Sequence, residues 1–140
     1  MGYLFAVIAG ACMSIQGVMN TRLSEKTGLF VSNAYVQGTA FILALICLIF
    51  AKDNNFKGFG DVNKFYLLGG VFGIAITLTV MLSVKGTSPA IAVSTILISQ
   101  LICAAVIDAF GIMGTEKLAF GWNKYLGAVI MIVGVLVFRK

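Results

Sequence analysis

The sequence predicts an all-α integral membrane protein with five transmembrane helices in a single domain over residues 1–140, and three observations carry that prediction. Hydrophobic residues make up 60% of the chain and charged residues 11%, with a mean hydropathy of +1.04, which is too apolar for a soluble domain. Uncharged runs long enough to cross the roughly 30 Å hydrocarbon core of a bilayer recur along the chain. The ten Lys and Arg residues stand singly or in pairs at the ends of those runs, as interfacial anchors do. A helix satisfies its own backbone polar groups in lipid, so each run reads as a helix.

The first run, Met1 to Thr21, ends at Arg22 and gives a span over about 2–21. It has no basic leader region and no clear small-residue cleavage pattern, so it reads as a span and not as a cleaved signal. The segment RLSEKTG then reads as a loop. The second span covers about 28–51 and closes at Lys52. AKDNNFKGFGDVNK is the longest polar stretch and is rich in turn residues. The third span, 65–84, is twenty uncharged residues ending at Lys85. The fourth, 89–110, opens with Pro89, which suits a first helical turn, and stays uncharged for eighteen residues from Ala90 to Ile107 before it meets Asp108. After GTEKLAFGWNK the fifth span covers about 122–138 and is finished by Arg139 and Lys140.

Several function classes fall away. The net charge of +5 forms neither a basic face nor a basic stretch interleaved with aromatics, so nucleic acid is not an expected partner. The chain has no histidine, and Cys12, Cys47 and Cys103 lie within apolar runs without CxxC spacing, so no metal, disulfide framework or other cofactor is expected. No nucleophile, base or paired carboxylates form a catalytic constellation, and the chain does not read as an enzyme.

Five spans would place the termini on opposite sides of the membrane. Lys52, Lys57, Lys64, Lys117 and Lys124 fall on the side of the N-terminus; Arg22, Lys26, Lys85, Arg139 and Lys140 fall on the other. Orientation follows the Lys and Arg bias between sides, and here the bias is nil. A chain with no preference inserts both ways, so two oppositely inserted copies can pair about an axis in the membrane plane. The alternative is that the N-terminal amine, weak loop effects or a partner protein fixes one orientation.

Within the spans, Gly69 and Gly73, and likewise Gly127 and Gly134, form small-residue patterns expected to bring helix backbones together. Polar side chains are costly in lipid and normally face protein or a water-filled cavity. Gln16 and Asn20 share a face of the first helix with Cys12, and Asn33 and Gln37 share a face of the second. With Gln100 near the middle of the fourth span, these amides are the candidate lining of a solute cavity. Tyr35, Phe41 or Trp122 would supply aromatic surface. The competing reading is that the amides only bridge helices by hydrogen bonds. Asp108, the sole acid inside an apolar run, is a candidate coupling acid or else a structural acid paired with Lys117 or Lys124.

The runs SIQGVMNTRLSEKTG, LLGGVFGIAI, SQLICAAVIDAFGIMG and LGAVIMIVGVLVF resemble the YdcZ-like family of the drug/metabolite transporter (DMT) superfamily over nearly the whole chain. The matching positions are Gln16, Asn20, Gly69, Gly70, Gly73, Gln100, Asp108, Gly111 and Gly127. Ala109 stands where the family often carries a histidine, which puts a proton relay through that position in doubt. The larger superfamily members are built from two inverted five-helix halves, so the resemblance implies that this chain is one such half.

The expectation is therefore a multi-pass protein of the inner (plasma) membrane that pairs as an antiparallel homodimer. Ten helices with an inverted repeat would form a secondary transporter moving a small-molecule solute by alternating access. The alternative is an accessory or structural membrane subunit, or one half of a heteromeric transporter.

Overall fold

A computed structural model describes residues 1–51, 56, 60, 62–111 and 121–138, with only the backbone of Lys124 included. Among these residues lie five α-helices: α1 (Gly2–Thr27), α2 (Leu29–Phe50), α3 (Gly69–Gly86), α4 (Pro89–Phe110) and α5 (Trp122–Phe138). A short 3-10 helix, Lys64–Leu68, leads into α3, and the Asn63 side chain accepts a hydrogen bond from the Phe65 N–H at 3.1 Å at its start. Gly2–Thr27, Leu29–Phe50, Lys64–Gly86 and Pro89–Phe110 are long and apolar enough to cross a membrane. At 17 residues α5 sits at the lower limit of the roughly 17–25 that a span requires.

The segment RLSEKTG is not a loop. Helix α1 runs through it to Thr27, because Leu, Glu and Lys are good helix formers and Arg22 pairs with Glu25 at 3.2 Å one turn on. Ser24, buried like Thr21, also extends the buried face of the helix past the end of the uncharged run. The link to α2 is Gly28 alone. Its φ of 88° and ψ of 156° lie in a region that only glycine occupies without strain. Its N–H donates to the Ser24 carbonyl at 2.9 Å and its carbonyl accepts from the Ser32 N–H at 3.0 Å, so one residue closes α1 and opens α2.

Helix α4 is delimited locally at both ends. Ser88 caps the N-terminus by accepting from the Ile91 N–H at 3.3 Å, Pro89 occupies the first turn, and Gly111 takes the left-handed conformation at the C-terminus. The Gly111 N–H returns to the Ile107 carbonyl.

The chain divides into two compact units, Met1–Gly86 and Thr87–Lys140. The first packs α1, α2 and α3 together; the second packs α4 against α5. Ser32 near the start of α2 reaches Met81 on α3, and Gln37 further along reaches the earlier Thr77, so α2 and α3 run antiparallel. The residue distribution is inside out relative to a soluble protein. Asn20, Thr21, Ser24, Ser32 and Asn33 are buried, while Phe41 and Phe72 stand 64% and 58% exposed. With hydrocarbon outside, apolar side chains gain nothing by leaving the surface, and polar groups and close contacts hold the helices together instead.

Candidate functional site

The interior of the first unit is built from small and polar residues of α1 and α2 set against Met81 and Val84 of α3. At Gly17 of α1 a Cβ would lie 3.1 Å from Val80 Cγ1 of α3, so the missing side chain is what lets these helices approach. One turn later Thr21 donates to the Gly17 carbonyl at 2.7 Å, and Ser24 donates to the Thr21 carbonyl at 2.7 Å. These hydroxyls are satisfied within their own helix. The Ser32 hydroxyl, fully buried, crosses from α2 to the Asn20 carbonyl of α1 at 3.2 Å and also lies 3.6 Å from Met81 Sδ.

Deeper along α2, Gln37 Nε2 donates to Thr77 Oγ1 at 3.2 Å, and Thr77 in turn donates to the Gly73 carbonyl at 2.9 Å. A Cβ on Gly73 would stand 3.7 Å from Gln37 Nε2, an ordinary van der Waals contact, so the amide's place against α3 rests on Thr77 and not on the glycine. Asn33 is 6% exposed, and its Oδ1 accepts no hydrogen bond among the described residues. A desolvated carbonyl oxygen in that state costs about 1–3 kcal/mol, which marks Asn33 as the interior group with unmet capacity.

The remaining candidates are placed differently. Asn20 turns inward, but Gln16, one turn earlier on α1, is exposed, because successive residues four apart drift around the helix and carry Gln16 off the packed stripe. Gln100 is exposed on α4, in the second unit. Gly69, Gly127 and Gly134 have nothing within 4 Å of where a Cβ would stand, so within one chain they do not bring backbones together as Gly17 does. Gly127 instead helps to hollow a groove.

That groove, about 670 Å³, lies between α4 and α5 and is lined by Asp108, Phe110, Tyr125, Ala105, Gly127 and Met131 among others. Asp108 is half-buried there, and no hydrogen bond to its carboxylate is formed among the described residues. Lys117 and the side chain of Lys124, the expected pairing partners, lie outside the described residues. Trp122 leans on Tyr125 with ring centroids 6.4 Å apart. A second groove of about 890 Å³, on the same helix pair, carries Thr95, Ser99 and Cys103 among aliphatic residues.

Sequence reasoning missed Gly17, Ser32 and Thr77. A signal existed for two of these contacts: Gly17 and Thr21 repeat the spacing of Gly73 and Thr77, a glycine followed four residues later by a threonine whose hydroxyl folds back onto the glycine carbonyl.

Apolar helices of spanning length with polar residues turned inward define a multi-pass helical membrane protein. Over residues 1–137 the chain matches the family model described as "Putative inner membrane exporter, YdcZ". It belongs to that family, and its place is the inner membrane, with the lipid bilayer around it. The chain matches no curated protein and no solved structure.

Proposed function

We propose that the chain is half of a small-molecule exporter: two copies, inserted in opposite directions, form a ten-helix homodimer that works by alternating access. The observation that carries this reading is the exposure of Gln16 and Gln100 within apolar helices. An amide held in hydrocarbon is costly, so such groups face a cavity or another protein surface. The even division of cationic anchors supports a partner that is the same chain inverted.

In that arrangement Gln16, Asn20, Asn33, Gln37 and Gln100 line or support the solute path. Asn33 brings an acceptor that has no donor among the described residues, while Gln37 is anchored by Thr77. Exchanging the inward and outward states of an inverted pair merely exchanges the roles of identical chains, so the two states have equal energy without solute. Solute then loads from either side, and net movement follows its gradient or that of a coupled ion.

Reporter fusions after Lys140 test the topology: activity on both sides of the membrane is expected, and activity on one side alone sinks the inverted pair. Flux of a solute panel into vesicles containing the protein tests transport, with Gln100→Ala expected to reduce it. A protein that pairs but moves no solute is an accessory subunit.

A further inference from the structure

We propose that the α4–α5 groove is the recognition site for a singly charged organic cation with an apolar body; this rests on the exporter reading and names its substrate class. The groove, about 670 Å³, has the size of a small-molecule site. Most of its wall is aliphatic and small, with Leu101, Val106 and Met131 offering contact surface. Its chemistry has one sign. Asp108 is the lone acid in an apolar run of the sequence, and it enters the groove half-buried with no hydrogen-bond donor among the described residues.

The aromatic rings point the same way. Phe110 and Tyr125 line the same groove, and the two residues are 72% and 54% exposed. Ring faces attract cations, and the attraction grows where water is excluded. A carboxylate, two rings and an apolar wall together suit a cation whose charge is spread or sheathed in carbon. A neutral solute would bring no charge to meet the carboxylate, and an anion would be repelled. A zwitterionic lipid head would bring a phosphate for which no described lining residue supplies a cation.

The chain supplies its own reporter. Trp122 is the single tryptophan in the sequence, and its ring rests against Tyr125 of the groove. Purified wild-type protein in a neutral maltoside detergent is titrated with tetraphenylphosphonium and with tetraphenylborate, ions of like shape and opposite charge, while Trp122 emission is followed. Asp108→Asn is expected to weaken phosphonium binding by about tenfold or more, about 1.4 kcal/mol or more, and to leave the borate unchanged or tighter, since the variant removes the attraction between opposite charges. Micelle partition affects both proteins alike and cancels in the comparison.

Phosphonium binding unchanged by Asp108→Asn overturns the assignment, and so does an equal shift for both ions; the acid is then structural. Gly127→Leu, which fills the groove where nothing lies within 4 Å, is expected to abolish binding of the phosphonium, so the site stays testable if Asp108→Asn does not fold. Displacement of the phosphonium by phosphatidylcholine at matched concentration also overturns it, since the occupant is then a lipid. Failure here leaves the exporter reading intact; that reading falls if wild-type vesicles move neither the phosphonium nor any other solute in the panel.

Discussion

Substituting Gly17 tests whether close approach of α1 and α3 holds the first unit together. A Cβ there would meet Val80 Cγ1 at 3.1 Å, inside the roughly 3.5–4.0 Å at which carbon atoms attract best. Gly17→Ala thus sets a contact strain of a few tenths of an ångström against a gain in helix propensity of about 1 kcal/mol, and its net effect is expected to be near zero. Gly17→Ile adds carbons that Val80, a β-branched residue stiff about its first side-chain torsion, is poorly able to clear. The expected cost is about 1–3 kcal/mol, as for overpacked interiors. Pairing Gly17→Ile with Val80→Ala should recover part of it, with a coupling of at least about 0.5 kcal/mol. The assay is equilibrium unfolding of purified protein in mixed micelles, followed by far-ultraviolet circular dichroism. Wild-type stability for Gly17→Ile, or strict additivity in the double variant, would refute the packing argument.

Three further outcomes follow from particular bonds. The Gln37–Thr77 hydrogen bond predicts a double-mutant coupling of about 0.6 kcal/mol, up to about 1.7, between Gln37→Leu and Thr77→Val; zero coupling in the same unfolding assay rejects the bond. Asn33→Leu is expected to be neutral or stabilising by up to about 1–3 kcal/mol, since it removes an acceptor without a donor; a marked loss would show that the oxygen is engaged in the assembled protein. Ser88→Ala removes the α4 cap and should cost about 1 kcal/mol, with Ser88→Asn restoring most of it; equal stability for the alanine variant argues against the cap.

The helical class was legible because the bilayer imposes one demand, unbroken apolar length, on every span. The start of α4 was legible in Pro89, which acts on its immediate neighbours, whereas the Ser88 cap and the left-handed Gly111 emerge from the structure. The end of α1 was not legible. Arg22 marks where hydrocarbon stops, but a helix stops only where its backbone is diverted, and that happens at Gly28.

Which of the candidate amides turn inward was only partly legible. Asn20, Asn33 and Gln37 are amides that turn inward, whereas Gln16, on the same nominal face as Asn20, does not. A 3.6-residue period separates residues four apart by enough angle to decide between packed and exposed. Gly17 and Thr77 escaped notice because neither is polar enough to be conspicuous in a span; only their partners across the helix interface reveal them.

Gly28 makes the hairpin of α1 and α2 a device with a fixed phase. Because a single residue joins the two helices, there is no slack to absorb a change in chain length. One inserted residue would screw α2 by about 100° and advance it by about 1.5 Å, sweeping Ser32, Asn33 and Gln37 from the protein interior toward the acyl chains. The length of this linker thus decides which side chains face the interior of the first unit.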